Sequence, residues 1–444
     1  MQEKYQQINN SGVLPDASEK KDKKVLKTVL VIVLSVVLFC LAFAGGFFAN
    51  YLLRGRTANV TYDIVSLMDN VGFIYDPVTG EERAVTEKDV ANALIDAFLD
   101  DYAAYYTKDE YNEIVSQGQG NYKGVGVAFY DIDDAVVDVV MGNSPVHRQG
   151  MRKGDILIWG KTENGEMVNF TNANDVLLFL NGCSNEDLIT LKYKNASGEY
   201  QITVQKESYV TSYVTYYDSE KTLSFQSADG QSLNKTITDN QTISLPSDVA
   251  YIVLDAFEGG AAWQIGSALN FMKEQGRTKL VLDLRDNGGG FMDILTEIAS
   301  YFIDNGGKKT SVVAYSSGKT GTESFATDKN RYNGFITSTV VIANDNTASA
   351  SECLIGALVN YGAVDISGVI VEKNAAGVAR TYGKGIMQTT YGLLSGGAFK
   401  LTTAKILWPN KETCIHGKGV TPEMGATAAE RGQGLIKALE KISN

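Results

Sequence analysis

Three hydroxyl residues, Thr347, Ser349 and Ser351, alternate with alanine in NTASASECLIGAL, residues 346–358, where an apolar strand pattern gives way to a helical one. A small-residue turn of that kind can present a nucleophile beside backbone N–H groups aimed at an oxyanion. Serine and threonine are also favoured helix caps, so the local sequence leaves open which hydroxyl reacts and whether all three merely cap. A serine nucleophile needs a base. The chain has 2 histidines, His147 in SPVHRQGMRKGD and His416 in CIHGKGVTPE, and neither stands in a triad context. Lysine is the alternative, provided burial or a neighbour lowers its pKa from about 10.4 towards neutrality. Lys384 in TYGKGIMQ lies between Gly383 and Gly385, which admit close approach of a neighbouring turn. Gln388, four residues on, shares the face of Lys384 on a strand or on a helix, where an uncharged amide orients the amine without raising its pKa. In LVLDLRDNGGG a buried strand ends in three glycines, and the N–H groups of Gly288 and Gly289 are available to an oxyanion. Neither a G-x-G-x-x-G fingerprint nor a Walker A spacing is present.

The elements that must position these residues change character along the chain. EKDVANALIDAFLDDYAAYYTKDEYNEIVSQ spaces Val90, Leu94, Ile95 and Leu99 as a helix does, and predicts a helical lead-in with aromatics in the loop that follows. From Tyr122 short β-type runs follow one another: GVGVAFY, AVVDVVM, DILIWG, LITLKY and QITVQK. One helix interrupts them, TNANDVLLFLNG, with Thr171 and Asn172 as caps and Ala173, Val176, Leu177 and Leu180 on one face. A polar Thr- and Ser-rich stretch from about residue 213 to 247 predicts irregular strands and turns. Beyond Ala250 the order strand, helix, strand (AYIVLDAF, AAWQIGSALNFMKEQG, KLVLDLRDNGGG) predicts an α/β sheet with its chemistry at strand ends.

Composition narrows the function classes. A chain of 444 residues, 44% of them hydrophobic, can bury two or three cores. A net charge of −12 repels phosphate backbones, so nucleic acid is excluded as a partner. Cys40, Cys183, Cys353 and Cys414 form no C-x-x-C pair and no His/Cys cluster, so no metal site or disulfide framework is legible, although one cysteine pair stays open. From Val29 to Leu53 the chain carries no charge, and roughly 20 apolar residues suffice to cross a bilayer. The lysines at 20, 21, 23, 24 and 27 outnumber Arg54 and Arg56, which predicts a cytoplasmic N-terminus and an extracytoplasmic remainder. Ala42-Phe43-Ala44 has the look of a signal-peptidase site, but the apolar run continues past it, and an uncleaved anchor is the preferred reading.

These motifs, in this order, resemble those of the C-terminal processing peptidases, tail-specific serine proteases with a Ser/Lys dyad and an embedded PDZ domain. The resemblance covers most of the chain after residue 85: LDDYAAYYTKDEY, YKGVGVAFY with NSPVHRQGMRKGDILI, LVLDLRDNGGG, TASASE, TYGKGIMQ, and KLTTAKILWPN with GKGVTPE. Together with the uncharged run and the lysines before it, it implies a multidomain α/β (α+β) chain: a cytoplasmic tail at 1–28, a transmembrane anchor at 29–53, a helical lead-in at 58–119, a PDZ domain at 120–208 and a serine peptidase core at 209–444. It implies Ser349 as nucleophile, Lys384 as general base, Gln388 as its orienting partner, and an oxyanion site at Ala350 with Gly288 or Gly289. Ser351 is left a capping or supporting role. Lys123, Gly124, Val125, Gly126 and Val127 would bind a substrate's C-terminal carboxylate and pair with its apolar tail as an added strand. The implied activity is membrane-anchored endoproteolysis near protein C-termini without a cofactor; a homo-oligomer or an activating partner is open. The competing reading is a catalytically silent PDZ-type receptor or scaffold. One departure from the family pattern is a longer stretch between the serine and the lysine, NYGAVDISGVIVEKNAAGVART.

Overall fold

The computed structural model describes residues 81–129, 132–217 and 244–443, except 305, 309, 333 and 395, together with 64, 65, 68, 222–224 and 231–233. The expected tail at 1–28 and anchor at 29–53 lie outside the described residues. Among the described residues no helix is long and apolar enough to cross a membrane. The chain divides into two units, residues 1–90 and 91–444, and all the chemistry discussed below lies in the second.

Helix α1 (Glu87–Phe98) is followed by strand β1 (Ala104–Tyr106) and helix α2 (Lys108–Gly118), so the aromatic loop expected after the lead-in helix contains a strand. Helix α2 begins at Thr107, whose side chain and that of Glu110 make reciprocal capping bonds. The β-rich segment that follows contains β2 (Asn121–Gly124), β3 (Val127–Ala128), β4 (Val139–Val140), the single turn α3 (Pro145–Arg148), β5 (Ile156–Thr162), β6 (Val168–Asn169), α4 (Ala173–Gly182), β7 (Ile189–Asn195), β8 (Gly198–Val204) and β9 (Glu207–Val210). Its buried apolar side chains, Val125 through Val204, form a cluster of their own around Val137, Val146, Met151, Ile189 and Leu191. Helix α4 starts where expected, with Asn172 accepting the Asp175 N–H. It buries Ala173, Val176 and Leu180 but leaves Leu177 at 38% exposure, so the apolar face is one residue narrower than its spacing predicts. The strands at either end of this segment close on each other, β2 pairing antiparallel with β9.

The remainder is built on one large sheet. Strand β10 (Val214–Tyr217), from the polar stretch, pairs with β11 (222–224), which pairs with β12 (231–233). On its other side β10 runs antiparallel to β13 (Val249–Leu254). Helix α5 (Ala261–Glu274) leads to β14 (Lys279–Asp283) and then helix α6 (Met292–Ala299). Strands β15 (Val312–Gly318) and β16 (Gly321–Ala326) belong to a second sheet. The large sheet resumes with β17 (Ser338–Ala343), helix α7 (Ala350–Asn360) and β18 (Val369–Glu372). After β19 (Ile386–Gly392) and β20 (Ala398–Leu407) of the second sheet, β21 (Thr427–Ala429) and helix α8 (Gly434–Ser443) end the chain. Strands β13, β14, β17, β18 and β21 are parallel neighbours in that order.

A parallel sheet covered on both faces needs apolar residues at odd and even positions alike. Ala250, Ile252 and Leu254 of β13, Leu280 and Leu282 of β14, and Val341 and Ala343 of β17 face α5, α6 and α7. Their alternates Val249, Tyr251, Val281, Val340 and Ile342 face α8 through Leu435, Ala438 and Ile442. The second sheet is antiparallel, with β20 bordered by β1, β15 and β19. Its Ile406 and Trp408 enter the core beneath α7, where Gly356 lets the indole lie against the helix backbone; a Cβ there would come within 2.4 Å of the ring. Cys183, Cys353 and Cys414 are all free thiols.

Candidate active site

Two turns at the C-terminal ends of adjacent parallel strands, β14 and β17, meet at the edge of the sheet. They are stitched together by groups the sequence offers in each. Thr347 Oγ1 donates to the Leu284 carbonyl at 2.8 Å, Ser351 Oγ donates to the Asn287 carbonyl at 2.9 Å, and the Ala348 N–H reaches the same Asn287 oxygen at 3.0 Å. Asp286 Oδ1 accepts from the amides of Asn344 and Asn346, and the Asp286 N–H donates to Asn344 Oδ1. Lys153, from the β-rich segment, pairs with the other Asp286 oxygen at 2.6 Å.

This stitching sorts the three hydroxyls. Thr347 and Ser351 are fully buried and spent on carbonyls, whereas Ser349 is only half-buried. Ser349 also has φ 57° and ψ −116°, a conformation that L side chains rarely adopt, at the N-cap of α7. The strand-to-helix turn thereby leaves this residue less buried than Thr347 and Ser351, in the manner of a nucleophile elbow. The Ala350 N–H opens α7 and has no acceptor within the helix. Gly289, at φ +102°, lies so close that a Cβ on it would meet Ala350 N and Ser349 Cβ, each at 2.8 Å. The Gly289 N–H is already given to Asn287 Oδ1 at 2.9 Å, while Gly288 is exposed beside open space. Of the two glycines named as oxyanion donors, Gly289 therefore has its N–H occupied and Gly288 is the exposed one.

Lys384 arrives on the segment leading into β19. Gly383 and Gly385 lie against the 415–419 turn: a Cβ on Gly383 would come within 2.9 Å of Gly419 N, and one on Gly385 within 2.6 Å of His416 N. The tie to the serine is Glu352, a fully buried carboxylate missed in the sequence. Its Oε1 accepts from Thr381 Oγ1 and the Gly383 N–H, and its Oε2 accepts from the N–H groups of both Ser349 and Lys384. Two contacts of 2.9 Å to one oxygen hold those backbone nitrogens within twice that distance of each other. Burial pushes the Glu352 carboxyl upward, and its four donors oppose that push. The signal for Glu352 was available as S-x-x-E at a helix start, a capping-box pattern.

The Lys384 amine is half-buried, and burial first, then the charge of Lys400, lowers its pKa while Asp100 raises it. Among the described residues it makes no hydrogen bond to Ser349 Oγ or to Gln388. It lies 4.6 Å from the centre of the Tyr102 ring. Gln388 lies on β19 and donates through Nε2 to Thr402 Oγ1 at 2.9 Å, beside an irregularity where the β19–β20 register shifts. Its expected contact with the amine is not formed in this arrangement.

Elsewhere, Arg285 bridges Asp283 and Glu372, and Glu372 accepts the Gly434 N–H at the start of α8, so this buried network braces β14 from below. His147 is far from a catalytic arrangement: its Nδ1 accepts the Asn143 N–H, and burial pushes its pKa down to about 4. The His416 side chain is exposed. In the β-rich segment, Gly124 and Gly126 have φ of +149° and +94°, and a Cβ on Gly126 would overlap Ser144. The carbonyls of Val125 and Gly126 accept from Val146 and Met141, Lys123 is exposed, and Val127 begins β3.

Parallel strands ending in a glycine turn beside a strained, half-buried serine form an α/β domain whose geometry is suited to acyl transfer. Residues 248–426 match peptidase family S41. Among curated relatives, it is 27% identical over 342 residues to a "Probable CtpA-like serine protease" of Staphylococcus aureus (strain bovine RF122 / ET3-1), a match covering 76% of this chain. The matched part spans 59% of that relative's length. A protein of the same name from Staphylococcus saprophyticus subsp. saprophyticus is 24% identical over 423 residues, covering 93% of this chain and 77% of the relative. Among solved structures, the photosystem II D1 C-terminal processing protease superposes with a TM-score of 0.48 at 18% identity, over 86% of this chain and 96% of its own.

Proposed function

We propose that the chain is a membrane-anchored, extracytoplasmic serine endopeptidase that cleaves proteins near apolar C-termini. Neutral Lys384 takes the proton from Ser349 Oγ as that oxygen attacks a peptide carbonyl; the amine leaves with a proton, and water then releases the acyl-enzyme. The oxyanion is received by the N–H of Ala350 and that of Gly288. The observation that carries this reading is the sorting of hydroxyls: Thr347 and Ser351 are buried and committed, Ser349 is accessible, and Glu352 binds the backbones of Ser349 and Lys384 through one oxygen. Gln388 orients the amine once it turns from Tyr102 towards the serine. The segment 120–208 acts as a PDZ domain, with Lys123, Gly124, Val125, Gly126 and Val127 taking the substrate's terminal carboxylate. Strand β3 pairs with the tail beside α4, whose Leu177 and Leu178 are exposed at 38% and 65%. The uncharged run 29–53 is the anchor.

The test is cleavage of an unstructured protein with an apolar tail by the wild type, Ser349→Ala and Lys384→Ala. Both variants are expected to lose activity by at least about three orders of magnitude, as in other nucleophile and base deletions. Wild-type turnover by either variant excludes the dyad. A folded wild type that binds the tail and never cuts it leaves the tethered receptor.

A further inference from the structure

The lead-in strand β1 sits on β20 with Ala104 opposite Lys400, Tyr105 opposite Phe399 and Tyr106 opposite Ala398. That register carries Tyr102, two residues before the strand, to the Lys384 amine at 4.6 Å from the ring centre. The Tyr102 hydroxyl meets the Tyr382 hydroxyl at 3.3 Å, and Tyr382 belongs to the same segment as Lys384. The ring is thus held at two points, by the strand behind it and by the phenol beside it.

We propose that Tyr102 is a positioning residue for the proposed base: its ring face, set in place by the strand behind it, walls the Lys384 amine off from water. The inference rests on Lys384 being the base. Two opposed effects act across the ring. Excluding water favours the neutral amine, and the negative face of the ring favours the ammonium. A cation–π contact at a partly exposed site is the weaker of the two, so the wall acts in the net direction of a free, reactive amine. The charged and titratable groups acting on the amine are Lys400 on β20, which favours loss of its proton, Asp100 in the lead-in, which opposes it, and Tyr102, whose ring lies over it. The Glu352 carboxylate holds the Lys384 backbone N–H. The lead-in is thereby part of the catalytic apparatus, although it precedes the β-rich segment and lies outside the stretch matched to the family.

The test is the pH profile of kcat/KM for the full chain, using the unstructured substrate with an apolar tail. In Tyr102→Phe, which keeps the ring face, the acid limb is expected within experimental error of wild type. In Tyr102→Ala, which opens the wall, the limb moves to higher pH by about half a unit or more, and the rate recovers in alkali. In Tyr102→Leu, an apolar wall without a ring face, the limb stays or moves lower. A uniform rate loss in Tyr102→Ala with the acid limb unmoved overturns the proposal, and so does an upward shift in Tyr102→Leu, which decides the matter if the alanine variant does not fold. Lys384→Ala run alongside separates the two readings: if it cleaves like wild type, the base assignment has failed; if it is dead and the Tyr102 profiles are flat, only the wall has failed.

Discussion

Glu352 is the residue on which the geometry of the site turns. All its hydrogen-bond partners donate, and three of the four are backbone N–H groups that cannot reverse: those of Ser349, Gly383 and Lys384. In Glu352→Gln the side-chain shape is kept, but whichever way the amide is turned its NH2 faces at least one of those donors. An unsatisfied buried donor costs about 1–3 kcal/mol. Kinetics with a tailed substrate should therefore show kcat lowered roughly 10- to 100-fold with KM little changed, together with a lower melting temperature; kcat within twofold of wild type would sink the role given to this carboxylate. The sequence made part of this legible. The motif TASASE marked this turn and the resemblance singled out Ser349, whose hydroxyl burial sets apart from those of Thr347 and Ser351, but no pattern along the chain reveals that Glu352 reaches a segment 32 residues away.

At the scale of elements, period-two patterns identified strands well where both ends were marked by turns, as in DILIWG and LITLKY. AVVDVVM is strand only at Val139 and Val140, because the bridge at Val136 and the turn after Met141 interrupt the ladder. Ala104–Tyr106 was read as loop because three residues carry no period; its strand geometry comes from β20, a partner distant in sequence. The β-rich segment has its own acid sensitivity through His147. Desolvation is the main cause of its low pKa, with Arg152 and Arg148 adding to it. The folded value, about 4, lies below the usual 6.5, so on acidification the unfolded chain takes up the proton first. The stability linked to the neutral ring is complete above about 6.5 and drains away as pH falls towards 4. Melting temperatures measured across that window should fall less steeply for His147→Gln than for wild type; parallel curves would show that the ring is not the sensor.

For the whole molecule, the alternation of strand and helix after Ala250 was enough to foresee an α/β sheet, whose central strands bury apolar residues on both faces. The antiparallel second sheet was not foreseen, since β15, β16, β19 and β20 are separated in sequence by the helices and strands of the first. One local feature also bears on the stability of the entire fold. Ser349 occupies a backbone conformation that suits glycine far better than serine, and such positions cost of the order of 1–3 kcal/mol. Ser349→Gly should raise the urea midpoint of unfolding while abolishing turnover; an unchanged or lowered midpoint would mean that the turn is relaxed after all. On the proposed reading, the native chain tolerates a weaker fold in order to keep one oxygen reachable. In a lineage released from selection for cutting, drift at position 349 would run towards glycine and a hardier, inert protein.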